Sequence, residues 1–588
     1  MRWLPLFFVA LLLCTIPVPA EPSGDAPALD ALADRYWQHW LERDNFLRSQ
    51  LGLPIETIRP LTFANADAEA AFAQNVLDAL HAIDAAKLDH ERWLTYRTLT
   101  YMTTNEIAGR TYFWLQQQAT PYAGGGQLSL IVPIFTGFRF TEASDVQRYE
   151  SLLHQYAAFV ASMRDVLAGQ HQRGIILPTV ETDASQAVFE GYAQPAQSQA
   201  LIPDETRLSA LTPAQRAAVR ESSQTIVNGE IVPAFQSVAA YLKGPYRVGA
   251  PSGVGLWQYP GGPEYYRYLV VANTTLTVTP EQLHQQGLDA VSQLNHELDG
   301  IKREVGFHGD LKAFKHFLAH DPQFYVKTTA GFGQRLEVYV HRAADAAPKY
   351  FSHMPKAPYG VEPLAKELAA AQTFGYYNQP TAAKPKGIYY YNAWHPDRTS
   401  ALSAGALICH ELIPGHHFQI ALQQENTALP NVRRYDFSEV GFVEGWGEYA
   451  SQLCWDMGVY RTPYDRAGRI MQDLMVSTRL VVDTGMNALG WSRERAMQFM
   501  RDNLTLSEAQ IETESLRYST DIPGQALAYK TGELTYLQLR RQARERLGSA
   551  FDIRQFHAWV LDSGSMTLDT LKAHLEYEIG RQQHNVSP

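Results

Sequence analysis

The residues with the clearest chemical potential stand between positions 410 and 417, where the chain reads His-Glu-Leu-Ile-Pro-Gly-His-His. Zinc peptidases commonly place His-Glu-x-x-His on one helix, because histidines four apart face one metal and the glutamate reaches the bound water. Here Pro414 occupies the position of the second histidine, and the next histidine is His416. On a regular helix His416 would point about 120° away from His410, so an undistorted helix cannot make this site.

Pro414 and Gly415 are the residues that would distort the helix, since proline removes a donor and glycine tolerates unusual dihedral angles. A local bulge of two residues would bring His416 next to His410. His417 would lie about 10 Å further along the axis, too far to share one ion, and is expected to pack beside the site. The competing interpretation is that Pro-Gly simply ends a helix with a turn.

A third ligand is expected from the segment Phe442 to Tyr449, which reads as a second helix. Its Glu444 lies 28 residues after His416, a gap that fits a helix, a loop and a crossing helix. Glu448, one turn further on, is the rival ligand. Two histidines and one glutamate leave the fourth position of a catalytic zinc open for water. We predict a Zn²⁺ site at His410, His416 and Glu444, with amide hydrolysis by a zinc-activated water and Glu411 as the general base.

These motifs, with Glu-Gly-Trp at 444–446, resemble the bacterial family called domain of unknown function 885, over roughly residues 30 to 580. Further blocks of the chain are similar to the family as well: 264–269, 483–492 and 523–532. The resemblance implies a zinc peptidase similar in layout to angiotensin-converting enzyme, thimet oligopeptidase and the carboxypeptidase Taq type, which are helical shells around a long channel. Asn487 departs from the pattern, because the family usually has histidine there.

Tyrosine and arginine residues near the end of the chain are candidates for substrate contacts. Tyr529 and Tyr518 could each donate a hydrogen bond to the tetrahedral oxyanion, a role that several related peptidases give to a tyrosine. With 31 tyrosines in the chain, an ordinary half-buried ring is the alternative for both. Arg517 could bind a substrate carboxylate through its planar fork, or it could pair with Glu514 on the same helical face.

The segment Gly387 to Asn392 predicts a strand about twenty residues before the metal-binding helix. If it is an edge strand, it could hydrogen-bond a peptide substrate by strand addition, so Tyr390 and Asn392 are predicted substrate-binding residues. The alternative is that the strand only belongs to a small supporting sheet. No serine-nucleophile elbow or phosphate-binding loop accompanies a strand-turn-helix pattern, so serine hydrolase and nucleotide-binding functions have no support.

Helical periodicity dominates the rest of the chain and predicts a mainly α fold with a small β-sheet near the metal helix. The family resemblance implies that this fold is a large two-lobed helical shell around a substrate channel. A strand is also expected at Gln127–Ile134, and a loop at the glycines 124–126. Thr212 and Thr279, each followed by proline, are predicted helix N-caps. The Gly- and Pro-rich stretch 244–262 divides a helical half, 21–250, from a catalytic half, 251–588. Long helices are predicted at 28–47, 66–99, 145–170 and 213–242.

Residues 1–20 have the layout of a secretory signal peptide, with Arg2, an apolar run and small residues up to Ala20. The run is too short for a confident membrane span, and no later segment is long and apolar enough for one. Leu13 stands where a small residue would precede a lipidated cysteine, which argues against lipidation of Cys14. We predict an exported protein with a mature start near Glu21, most simply in a Gram-negative periplasm, or extracellular.

The mature chain is acidic and almost free of cysteine. Without Arg2, 49 Lys and Arg stand against 61 Asp and Glu, a formal charge of −12, which disfavours nucleic acid and anionic lipid as partners. Only Cys409 and Cys454 remain, and two buried free thiols are the preferred interpretation, with a single bridge as the alternative. The predicted partner is a peptide, and the oligomeric state stays open. Two other functions remain possible: a binding or scaffold protein without turnover, favoured by Asn487, and a zinc hydrolase of a non-peptide amide or ester.

Overall fold

The structure is a computed structural model that describes residues 24–364, 375–393, 395–397 and 399–586. The predicted signal peptide and Cys14 lie outside the described residues. The mainly α prediction is confirmed, with one small sheet. The helices of the first part of the chain are α1 Asp25–Arg43, α2 Asn45–Gln50, α3 Phe63–His81, α4 His90–Thr111, α5 Ala123–Thr136, α6 Ser144–Gln172, α7 Thr179–Tyr192, α8 Pro195–Gln199, α9 Pro213–Ile226, α10 Val232–Lys243, α11 Gly262–Thr274, α12 Pro280–Glu304, α13 Leu311–His320 and α14 Thr329–Ala346.

The second part of the chain contains the sheet and the helices that carry the predicted site. Its strands are β1 Tyr359–Pro363, β2 Tyr376–Asn378 and β3 Gly387–Tyr391. Its helices are α15 Ala404–Glu411, α16 His416–Glu425, α17 Asn431–Arg434, α18 Val440–Asp456, α19 Pro463–Asn487, α20 Arg493–Asn503, α21 Glu508–Leu516, α22 Ala528–Leu547, α23 Ile553–Leu561 and α24 Leu568–Val586. Two segments form π-helical turns, Val227–Ile231 and Arg517–Asp521.

Side-chain capping explains several helix starts. Thr212 and Thr279 each form the predicted N-cap, and each shares a reciprocal capping box with a glutamine three residues on. The predicted helices 28–47 and 66–99 are each divided into two. Asp44 and Asp89 begin new helices there, because their side chains accept hydrogen bonds from the first-turn amides.

The predicted strand at Gln127–Ile134 is wrong, and so is the loop at 124–126, because both lie in α5. Leu128, Ile131 and Phe135 are its buried hydrophobic side chains, spaced three and four apart as on one face of a helix. The packing of this face overrides the β-branched composition and the glycine run that suggested a strand and a loop.

The sheet has the strand order β1-β3-β2, with β1 parallel and β2 antiparallel to β3. It lies against α16, since a Cβ atom on Gly387 would fall 2.4 Å from Nδ1 of His417. The predicted sheet near the metal helix is therefore confirmed. β3 is its central strand, so its two edges are already paired and it cannot accept a substrate strand. Of the two interpretations of this strand, the structure excludes the edge strand and agrees with the supporting sheet.

The hydrophobic core consists of several clusters. One is built only from residues between Ile58 and Tyr246, inside the predicted helical half. Another extends from Val254 to Ala526, and a third packs α14, α15 and α18 together with β3. The division near residue 250 and the two-lobed shell stay predictions. None of the described helices combines the length and apolarity that crossing a bilayer would take.

Cys409 and Cys454 form a disulfide, so the interpretation as two free thiols is wrong. Cys409 lies in α15 and Cys454 in α18, and these helices cross with the two Cα atoms 6.4 Å apart. This separation is within the range that a disulfide can span. The pairing depends on a helix crossing between residues 45 positions apart, which the cysteine count alone does not indicate.

Candidate metal centre and active-site cavity

His410 and His416 approach each other because one helix stops and another begins between them. His410 and Glu411 are the last residues of α15, and His416 is the first residue of α16. The ring centroids of the two histidines lie 4.6 Å apart. The expected bulge within one helix is therefore wrong. The first helix ends at Glu411, the chain passes through Pro414, which follows a cis peptide bond, and a second helix starts at His416.

The linker between the two helices is held by close contacts. A Cβ atom on Gly415 would fall 1.7 Å from the carbonyl oxygen of His410, so only glycine fits this position. The indole Nε1 of Trp446, in α18, donates a hydrogen bond of 2.9 Å to the carbonyl oxygen of Pro414. The Glu-Gly-Trp segment therefore fixes the turn that presents the histidines.

Glu444 and Glu448 both contact His410, but from opposite sides of its ring. Oε2 of Glu444 lies 3.5 Å from Nε2 of His410 and 3.5 Å from Nε2 of His416. Oε1 of Glu448 lies 3.2 Å from Nδ1 of His410. A Cβ atom on Gly447 would fall within 2.9 Å of the His410 ring, so glycine leaves room for the imidazole between the two carboxylates. This arrangement favours Glu444 over Glu448 as the third ligand.

The side chains of His410, His416 and Glu444 have the chemistry and spacing of a zinc site. One ligand atom each from His410, His416 and Glu444 lies within 4.8 Å of the others. Ligand atoms around one tetrahedral zinc are roughly 3–3.5 Å apart, so only small side-chain adjustments are needed. Glu448 would orient His410 through the ring nitrogen that does not bind the ion. A histidine that binds metal usually interacts through its second ring nitrogen with a carboxylate or carbonyl group.

A buried charge network supports Glu448. Its Oε2 lies 3.3 Å from Nη1 of Arg469, whose Nη2 donates to Glu533 at 2.8 Å. Lys530 contacts both Glu533, at 2.8 Å, and Asp473, at 2.6 Å. All five side chains are buried. Three carboxylates face two cations, so the network carries one excess negative charge next to the metal-site histidines.

The metal-site residues face a cavity of about 390 Å³. Of the other residues predicted from the sequence, Glu411, Tyr529 and Arg517 line it, whereas Tyr518, Tyr390 and Asn392 do not. Sequence reasoning missed several polar lining residues: Tyr376, Tyr377, Gln379, Tyr389, Gln472 and Arg479. A larger cavity of about 630 Å³ lies elsewhere, and no histidine of the described residues lines it.

Glu411 is placed at the end of α15, beside the ligands and facing the cavity. Burial raises the pKa of its carboxyl group, against the lowering effect of His410 and His416. Burial raises the pKa of the Tyr377 and Tyr389 hydroxyl groups, and the nearby charge of Glu411 raises it further. Glu411 is thus a cavity carboxylate that does not bind the proposed ion.

The two candidate tyrosines have different surroundings. The ring of Tyr529 stacks against His410, with centroids 6.2 Å apart, and its hydroxyl accepts a hydrogen bond of 3.2 Å from Gln525. Tyr518 is buried, and its hydroxyl donates to Glu514 and accepts from Arg479. The structure therefore brings Tyr529 to the site and leaves Tyr518 in a supporting layer.

The predicted substrate-binding residues of the strand segment, Tyr390 and Asn392, are not among the residues that line the cavity. Side chains alternate along a strand, and on β3 it is Tyr389 that points into the cavity. Tyr390 lies on the opposite face against Tyr376, with ring centroids 5.6 Å apart. Asn392 follows the end of the strand. A shift of one residue along a strand moves to the opposite face of the sheet. The sequence did not indicate which face of the strand meets the histidines.

His417 is occupied by the sheet. Its Nδ1 accepts a hydrogen bond of 2.9 Å from the hydroxyl of Tyr377, and its Nε2 donates to the carbonyl oxygen of Ala357 at 3.1 Å. With both ring nitrogens bonded and the side chain fully buried, His417 joins α16 to the sheet beside the metal site.

Asn487 lies away from the cavity. Its side-chain amide donates to the carbonyl oxygens of Asp483 and Tyr518, at 3.0 and 2.9 Å, and its oxygen accepts from the amide of Leu256 at 3.0 Å. The side chain is fully buried and its donors and acceptor are satisfied. Asn487 is therefore not part of the lining of the cavity.

Comparisons with known proteins agree with this fold. Residues 47–575 match the model of a family described as bacterial protein of unknown function (DUF885). A structure from Colwellia psychrerythraea, described provisionally as a lipoprotein, superposes with a TM-score of 0.84 at 23% identity, covering 95% of this chain and 100% of the other.

A second structure is a protein of unknown function from Shewanella oneidensis, also described provisionally as a lipoprotein. It superposes with a TM-score of 0.69 at 18% identity, covering 94% of this chain and 99% of the other. At these identities the likeness shows the fold alone. A comparison with curated proteins found no match.

Proposed function

The chain belongs to the DUF885 family of bacterial proteins of unknown function, and we propose that it is an exported zinc-dependent peptidase that hydrolyses oligopeptides. The proposal rests on the meeting of His410, His416 and Glu444 at the wall of a cavity that Glu411 also lines. Two histidines and one carboxylate are a ligand set of catalytic zinc, and they leave one position free.

In this proposal zinc supplies Lewis-acid polarisation of the substrate carbonyl and lowers the pKa of a water molecule. Glu411 accepts a proton from the water that attacks the carbonyl carbon. It then returns this proton to the amide nitrogen as the carbon–nitrogen bond breaks, so the products are a free acid and a free amine. Tyr529 stands beside His410 and donates a hydrogen bond to the carbonyl oxygen as negative charge develops on it.

Three observations support export. Residues 1–20 have the pattern of a signal peptide, and disulfides such as Cys409–Cys454 persist mainly in oxidising compartments. The two structurally similar proteins are described as lipoproteins. A Gram-negative periplasm fits all three.

A catalytic function is favoured over a binding or scaffold function by the position of Asn487. That residue was the sequence feature in favour of lost turnover, but its hydrogen bonds join helices outside the cavity. The proposed ligands and Glu411 are all present in the cavity wall. A hydrolase of non-peptide amides or esters would use the same residues, so only substrate tests separate it from a peptidase.

The decisive experiment replaces Glu411 with glutamine, which keeps the size of the side chain and removes its basicity. The zinc content and melting temperature of Glu411→Gln should equal those of the wild type, because the side chain is not a proposed ligand. The cleavage rate of a mixed-peptide library, read by mass spectrometry, should fall at least ~100-fold, since general-base assistance contributes roughly 10²–10⁴. Glu297→Gln, on the surface helix α12, is the matched control and should retain full activity.

The alternatives predict other results. A scaffold protein would leave the library intact with the wild type as well as with Glu411→Gln. A non-peptide hydrolase would show the mutational loss only on amide or ester substrates that are not peptides. Cleavage of peptides by Glu411→Gln at the wild-type rate would mean that another group is the base.

A further inference from the structure

Two arginines line the same cavity as the proposed metal ligands. Arg479 projects from α19 and Arg517 from the π-helical turn 517–521. The Arg479 residue is 7% exposed, and the side chain of Arg517 is 13% exposed. Burial of a guanidinium group is unfavourable unless its charge and its N–H groups find partners. The partners of this pair therefore indicate what the cavity is built to hold.

One carboxylate serves both arginines. Oε2 of Glu514 lies 3.5 Å from Nη2 of Arg479, and Oε1 of Glu514 lies 3.6 Å from Nη1 of Arg517. Among the described residues, no other carboxylate lies within 4 Å of either guanidinium group. Two positive charges and one negative charge leave an excess of one positive charge. Glu411 and Glu444 also face the cavity, but a divalent ion at the histidines would balance their two charges.

Each guanidinium group also has unused hydrogen-bond donors. Nε of Arg479 donates to the hydroxyl of Tyr518 at 2.8 Å, whereas its Nη1 has no hydrogen-bond partner among the described residues. Nη2 of Arg517 donates to Gln525 at 3.1 Å, and its buried Nε has no partner in the described part of the chain. Excess positive charge and free donors together indicate an anionic ligand.

The position of the pair fixes how far this ligand lies from the proposed zinc. The Arg479 guanidinium lies over the ring of Tyr529, 4.7 Å from its centroid, and this ring stacks at 6.2 Å against His410. A ligand held by the arginines is thus within roughly three residues of extended peptide from the metal, at about 3.4 Å per residue.

We propose that Arg479 and Arg517 form a subsite for the carboxylate at the C-terminal end of a short peptide, so that the enzyme cleaves close to that end. The planar guanidinium fork matches a carboxylate with two parallel hydrogen bonds. Every unmodified peptide carries this group at its end, and a cavity of about 390 Å³ admits only a few residues. This subsite deepens the proposed peptidase function and rests on it.

The test uses one peptide sequence in three forms: the free acid, the C-terminal amide, and the amide with aspartate in place of the last residue. Binding is measured to zinc-loaded Glu411→Gln protein, and kcat/KM is measured with the wild type. Amidation should weaken binding and lower kcat/KM at least ~10-fold, because hydrogen bonds to a charged group are worth about 1.5–3 kcal/mol. The aspartate amide should behave like the plain amide.

Variants assign this preference to the arginines. Arg479→Gln should bind acid and amide equally, while Arg479→Lys, which keeps the charge without the planar fork, should retain part of the difference. Arg342→Gln is the control, because Arg342 is an ion-paired arginine that lines the other cavity. It should retain the full preference. Melting temperatures show whether each variant folds. If Arg479→Gln does not fold, the test rests on Arg479→Lys.

The possible outcomes separate the subsite from the peptidase. Equal binding of acid and amide by folded protein would overturn the subsite, even if peptides are cleaved in a Glu411-dependent manner. An aspartate amide that binds as tightly as the free acid would overturn the assignment to the chain end. If the acid binds better than the amide, and only with Arg479 present, the subsite stands even when no peptide is cleaved and the proposed peptidase function fails.

Discussion

The segment Glu444 to Glu448 contributes to the proposed metal site by contacting both ring nitrogens of one histidine. Glu444 faces Nε2 of His410, Glu448 faces Nδ1, and Gly447 leaves room for the ring between them. This arrangement orients His410 before any ion binds. The orientation of a ligand by a second group usually increases metal affinity 10–100-fold.

The two adjacent histidines give the sharpest test of the ligand set. His416→Ala should lose most of the tightly bound zinc, because Nε2 of His416 faces Glu444. His417→Ala should keep its zinc but unfold at a lower temperature, because it breaks two hydrogen bonds between α16 and the sheet. Metal analysis of both purified variants, with melting curves, makes the comparison. The reverse pattern of zinc loss would exchange their roles.

Several site residues could be predicted from the sequence because their spacing reflects local chemistry. His410, Glu411 and His416 lie within seven residues, and Glu444 stands in a distinctive Glu-Gly-Trp segment. Arg479 carries no such signal, because its place in the cavity depends on where α19 packs. The choice of Tyr390 instead of Tyr389 has a similar cause, since only tertiary contacts decide which face of a strand meets the site.

At the scale of secondary-structure elements, the loop closed by the disulfide contains all the ligands of the proposed metal site. All three proposed ligands, His410, His416 and Glu444, lie between Cys409 and Cys454 in the sequence. The bridge fixes the crossing of α15 and α18, and these two helices carry His410 and Glu444. It therefore limits the separation of the ligands even when the surrounding structure loosens.

The double variant Cys409→Ala with Cys454→Ala should be less stable than the oxidised wild type. Opening a loop of this length typically lowers the free energy of unfolding by about 2–4 kcal/mol. Zinc affinity should fall as well, because the ligands are less constrained. Denaturant unfolding and zinc titration measure the two effects. Chemical reduction of the wild type should reproduce them and leave the double variant unchanged. Equal stability of the oxidised wild type and the variant would contradict this role.

The sequence predicted elements well where caps and periodicity agree, as at Thr212 and Thr279. It failed where composition and packing disagree. The run Leu-Ser-Leu-Ile-Val-Pro-Ile-Phe at 128–135 has the β-branched character of a strand, yet its buried face has helical spacing. The break between α15 and α16 was also only partly predictable: Pro414 indicates a disruption, but not that a second helix begins two residues later.

At the scale of the whole molecule, distant parts of the chain place two buried carboxyl groups, Glu181 and Asp521, within each other's electrostatic influence. Glu181 projects from α7 and Asp521 from the same π-helical turn as Arg517. Glu181 is fully buried, and neither of its oxygens has a hydrogen-bond partner among the described residues. Burial, and then the charge of Asp521, raise the pKa of Glu181 from 4.5 to about 9. Glu181 is therefore neutral in the folded protein at pH 7.

The raised pKa of Glu181 makes stability depend on pH. The folded pKa of Glu181 is above the unfolded value, so its contribution is fully present below pH 4.5 and is lost as the pH rises towards 9. Over this range the loss is on the order of 1.4 kcal/mol per pH unit for one group. Glu181→Gln, which stays neutral in both states, should be more stable than the wild type at pH 8, with a smaller difference at pH 5.

Melting temperatures of the wild type and the variant, measured at both pH values, test this prediction. The difference between the two proteins at each pH cancels the titration of the groups that they share. Glu190→Gln is the matched control, because Glu190 is an exposed residue of the same helix. It should leave the pH dependence unchanged. If Glu181→Gln loses stability equally at pH 5 and pH 8, the Glu181 carboxylate is charged and stabilised in the folded protein.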